Sequence, residues 1–101
     1  MSERMLDGLL DAPAMARAHP GLFGAPSAAE LDALQAGDFV KICRHNERFW
    51  LQIMAFSGPH IQALVANNLL DNDDLKVGAV VWVGREHVLE TLKRSAQSGS
   101  S

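Results

Sequence analysis

From Asp38 onward apolar residues recur at every second position, the period of a strand whose side chains point alternately to two faces. Phe39 to Arg44 and Glu47 to Phe56 read as two strands of a hairpin turned at His45-Asn46. Ser57-Gly58-Pro59 makes the next turn, and His60 to Ala66 alternates as a third strand. A longer polar connection from Asn67 to Gly78 leads to a fourth strand, Ala79 to Val83. Gly84 to His87 reads as a short turn or a single 3₁₀ turn, and Val88 to Leu92 as a fifth strand. Five short antiparallel strands predict a curled sheet forming a small, partly open barrel of the Src-homology-three kind.

Before Asp38 the period is helical. Ser2 can cap a helix carrying Met5, Leu6, Leu9 and Leu10 on one stripe, and Asp11-Ala12-Pro13 starts a second run that ends at Pro20-Gly21, as one kinked helix or two. Leu22 to Pro26 is an apolar loop pinned by Phe23. Ser27-Ala28-Ala29-Glu30 is a capping box that fixes a third helix start, with Leu31 and Leu34 on its apolar face and Gly37 as its left-handed terminator. The fold class is therefore α+β: one domain over residues 1–94, with residues 1–36 a helical cover, 37–94 the barrel and 95–101 a disordered tail.

Both faces of the sheet are apolar. Phe49, Leu51, Ile53 and Ala55 share one face of their strand while Trp50, Gln52, Met54 and Phe56 share the other, and Ala79, Val81 and Val83 oppose Val80 and Trp82. One barrel interior cannot take all of this surface. The outer face is expected to be roofed by Leu6, Leu9, Leu10, Met15, Phe23, Leu31 and Leu34 packing onto Trp50, Met54 or Trp82, or else by a partner protein or a second copy. Phe39, Arg48, Trp50, Met54 and Trp82 form the candidate interface.

The 101 residues, 48% of them apolar, suffice for one core without staples. A single cysteine excludes an internal disulfide, and its place in the run Phe39 to Cys43 suggests a partly buried thiol. No basic segment followed by an unbroken apolar stretch opens the chain, and no apolar window approaches the length of a membrane span, so a cytoplasmic location is expected. The net charge of −3 gives no general attraction to a phosphate backbone.

Candidate chemistry is sparse. Asp71-Asn72-Asp73-Asp74 is acidic but lacks the glycine and terminal glutamate of a calcium loop, and reads as a solvated connection. His19, His45, His60 and His87 have no paired spacing for zinc. Cys43, His45 and Glu47 offer the one arrangement resembling a nucleophile, base and orienting acid, against the simpler reading that Cys43 is a strand residue and His45 a hairpin tip. Lys41, Arg44 and Arg48 with Phe49 and Trp50 could form a basic-aromatic patch for single-stranded nucleic acid, although Lys41 and Arg44 fall on opposite faces and Arg48 reads equally well as a partner of Asp38. A methylated-lysine cage of Phe39, Trp50 and Trp82 is a further arrangement, lacking any tyrosine.

The ordered set Gly37-Asp38-Phe39-Val40-Lys41, Glu47-Arg48-Phe49-Trp50-Leu51-Gln52-Ile53, Asn67-Asn68, Leu75-Lys76-Val77-Gly78 and Glu86-His87-Val88 resembles a bacterial family catalogued as domain of unknown function 2314. The resemblance covers about Gly37 to Leu92 and departs from the family pattern at Asn67-Asn68-Leu69-Leu70 and at Ala79. It implies a small β-rich domain and no activity. The expected function is a non-enzymatic protein-interaction module of a bacterial cytoplasmic protein, with an accessory or immunity-type factor or a homodimer as forms of that role. It needs no metal and no small-molecule cofactor, and single-stranded nucleic-acid binding through the first hairpin is the alternative.

Overall fold

A computed structural model of the chain describes residues 4–19, 25–67, 69, 72 and 75–93. The expectations for Phe23, for Asp71, Asp73 and Asp74, and for the 95–101 tail lie outside the described residues. Two short helices and a sheet of five antiparallel strands, extended by one short parallel strand, make an α+β domain.

The elements follow the period. After β1 (Arg4–Met5), α1 (Ala12–Ala18) and α2 (Ala28–Asp32) come β2 (Phe39–Arg44) and β3 (Glu47–Ser57), a hairpin turning on His45 and Asn46. Both turn residues have positive φ, 54° and 65°, which gives the turn the twist that antiparallel strands need. β4 (His60–Val65) and β5 (Val80–Gly84) continue the meander, a 3₁₀ turn covers Arg85–His87, and β6 (Glu90–Leu92) returns to pair with β2. The strand order is β1-β5-β4-β3-β2-β6.

One face of this sheet is the core. Val40 and Ile42 of β2, Leu51 and Ile53 of β3, Ile61, Ala63 and Val65 of β4, and Val81 and Val83 of β5 are all at most 2% exposed, and Phe49 and Val88 join them. Strict alternation fails once, in β3. Ile53 pairs with Ala63 but Ala55 pairs with Gln62, so Met54 and Ala55 together oppose one residue and the strand bulges. Beyond the bulge the faces exchange. Ala55 lies in line with outward-facing Gln62 and Trp82, while Phe56 lies opposite the buried Ile61, the reverse of what a uniform period of two predicts for both.

The helix expected over residues 2–10 is absent from its described part, which is extended. Gly8 sits at φ +71°, a left-handed conformation that would interrupt any helix there. The segment instead gives its amides to two different strands: Leu6 N–H donates to Trp82 O at 3.0 Å, and Leu10 N–H to Cys43 O at 3.1 Å, with Leu9 bridged to Arg44. It therefore reaches from β5 to β2 like a strap. α1 begins where expected, with the Asp11 carboxylate accepting from Ala14 N–H at 2.9 Å and Pro13 in the first turn, and α2 carries the complete Ser27/Glu30 capping box.

Among the described residues these N-terminal elements cover the outer face only at its Cys43 corner, and most of their large apolar side chains turn inward. Leu6 and Leu34 are buried in the core cluster on the inner side, Leu9 and Leu31 pack against that same cluster, and Leu10 joins Ala12, Cys43 and Leu89 in a second, smaller one. The reason is positional. A strap that gives its hydrogen bonds to β5 and β2 at the margins of the sheet has its alternate side chains turned into the open end of the core.

Two polar anchors hold these margins. Arg44, only 3% exposed, donates from Nε to Asp7 O at 2.9 Å, from one terminal nitrogen to Asp7 Oδ1 at 3.2 Å, and from the other to Asn72 Oδ1 at 2.9 Å. Asn72 is fully buried and its amide donates to Arg44 O and to Glu47 Oε1, both at 3.0 Å, so one side chain clasps both strands at the hairpin end. At the opposite end the buried Asp38 carboxylate accepts from Gln35 N–H at 2.8 Å and from Lys93 Nζ at 2.5 Å. Truncation of Asn72 leaves a buried guanidinium N–H and a buried strand carbonyl short of partners. Asn72→Ala is expected to lower the unfolding free energy by about 2–3 kcal/mol in urea titrations. A loss below about 1 kcal/mol would show that the clasp does not hold the hairpin.

Candidate functional site

The register fixes what lies on the outer face. Lys41 pairs with Trp50, and the next row runs Leu92, Phe39, Gln52, Leu64, Val80 across five strands. A third row holds Ala55, Gln62, Trp82 and Met5 across β3, β4, β5 and β1, with Met54 standing out at the bulge. None of these side chains is buried among the described residues, and Met5, Met54 and Leu92 are 54%, 42% and 50% exposed. A sheet face of this composition left in water costs roughly 25 cal/mol for each Å² of apolar surface that a partner would remove.

A pocket of about 210 Å³ opens in this face, lined by Phe39, Trp50, Ala66, Asn67 and Leu92. Its walls are held by one side-chain and one main-chain hydrogen bond to the Trp50 backbone. Asn67 Oδ1 accepts from Trp50 N–H at 2.7 Å and Trp50 O accepts from Ala66 N–H at 3.0 Å, where β4 has ended and cannot supply the partner itself. Lys41 Nζ lies 4.9 Å from the Trp50 ring centroid, a cation–π distance, and 3.4 Å from Glu90 Oε2 across the β2–β6 pair. The charge of Lys41 is thereby matched, and the pocket floor is aromatic and aliphatic.

Of the five candidate interface residues, Phe39 and Trp50 come together in this pocket, and Arg48 is exposed one outward position beyond Trp50, opposite Cys43. Met54 and Trp82 lie elsewhere on the face. Trp82 is two strands across from β3 and level with Ala55, which places it about 17 Å from Trp50 by strand spacing and rise. Phe39, Trp50 and Trp82 therefore cannot form one cage. Sequence reasoning put Val80 on the face of Trp82 but missed Leu92, Leu64 and Met5 as members of it, although the outward parity of their strands carried the signal for the first two.

The other constellations are dispersed by the fold. Arg44 and Phe49, counted toward a basic-aromatic patch, are both buried, the first in the Asn72 clasp and the second in the core. Asp38 pairs with Lys93, whereas Arg48 stands opposite Cys43, five residues along β2 and about 17 Å away, so the Arg48–Asp38 pairing is not formed. Cys43 is buried against Ala12 and Leu89, His45 is exposed on the turn, and Glu47 accepts from Asn72 rather than standing free to orient an imidazole. Among the described residues no three of His, Cys, Asp or Glu converge as a metal set. No described helix is long and apolar enough to cross a membrane.

Comparison with protein-family models, with curated proteins and with solved structures gives no match to this chain.

Adjacent residues of β3 should respond differently to truncation. Phe49→Ala opens a core cavity and is expected to cost about 3–5 kcal/mol, whereas Trp50→Ala, on the outer face, is expected to cost about 1 kcal/mol. Parallel urea titrations test the contrast, and comparable losses would place Trp50 in the core. Cys43 is expected to react slowly with a maleimide in buffer and rapidly in denaturant. Fast labelling of the native protein would show an accessible thiol.

Proposed function

We propose that the protein is a non-enzymatic interaction module, a small partly open barrel of the Src-homology-three kind acting in a bacterial cytoplasm, whose outer sheet face receives a protein partner. The observation that carries this reading is the pocket between Phe39, Trp50 and Leu92 set in a row of outward apolar side chains. Aromatic and methionine side chains with matched charge at the margin are the composition of interface centres. Its size admits one or two apolar side chains, which suits an anchor-and-pocket contact. The resemblance to domain of unknown function 2314 agrees with the barrel and adds no activity, and an accessory or immunity-type factor is a role this geometry can fill.

Nucleic-acid binding is the weaker reading because only Lys41, Arg48 and Trp50 remain on the exposed hairpin face, with Lys41 already bonded to Glu90. Two cations limit the salt dependence for a single strand to a log–log slope of about −1.4.

A photo-crosslinking amino acid placed at Phe39 is expected to trap a protein in cells, and Trp50→Glu is expected to abolish the adduct while leaving the circular dichroism unchanged. A folded protein that yields no adduct at Phe39 or Leu92 would refute the interaction face. Oligonucleotide titrations at low salt that give a steep slope, reduced by Arg48→Ala, would favour the alternative.

A further inference from the structure

We draw no further inference here: the strongest candidate, the apolar outer sheet face around the pocket lined by Phe39, Trp50 and Leu92, carries nothing beyond the interaction face already described, because nothing in the structure shows what covers it.

Discussion

The structure is governed by a shortage of roofing. A meander of five strands rich in valine, leucine and isoleucine has two faces, and among the described residues the rest of the chain gives most of its large apolar side chains to one of them. Leu6, Leu34, Leu75 and Val88 come from four separate segments and all close the same inner cluster. Burying each such side chain stabilises the fold by about 1.5–3 kcal/mol, and the gain is greatest where a cluster is already closed on several sides. The inner face therefore takes these side chains, and the outer face keeps the remainder of the described ones.

Which residues are left over is decided by two local features. The bulge at Met54 exchanges the faces of β3, lifting Ala55 into the outer row and turning Phe56 toward Ile61 beside Leu31 and Leu34. The Asn72 clasp performs the corresponding task at the hairpin end, where it holds a guanidinium inside the domain and pulls the strap of residues 6–10 across from β5 to β2. A buried arginine is tolerable only with its donors met, and Asp7 and Asn72 meet them from two segments distant in sequence. The price of satisfying Arg44 in this way is that the strap packs against the sheet margin instead of spreading over Trp50 and Trp82.

The strands, the two-residue turn, the capping box and the 3₁₀ turn were legible in the sequence because each is set by neighbours: alternation, a His-Asn pair, Ser27 three residues before Glu30. What was not legible depended on partners far away. Met5, Leu6, Leu9 and Leu10 fit a helical stripe as well as a strap, and Gly8 at a left-handed φ was the local sign against the helix. Asn72 lay in an acidic run that read as solvated, and nothing in its neighbours shows that it would be the best buried polar residue of the described chain. The bulge was invisible for the same reason, since an extra residue in one strand has meaning only against the count of the other. Within the candidate site, Phe39 and Trp50 were found by type, while Leu92 required knowing that β6 pairs with β2.

The same economy bears on function. Several side chains that suggested chemistry have a structural occupation: Cys43 fills the small cluster under Ala12, Glu47 accepts from Asn72, Arg44 anchors the strap, and Asp38 with Lys93 fastens α2 to the end of β6. The outer row differs, with Leu92 half exposed and Phe39, Gln52, Leu64 and Val80 half-buried. Apolar surface of this kind gains stability wherever a second surface excludes water from it.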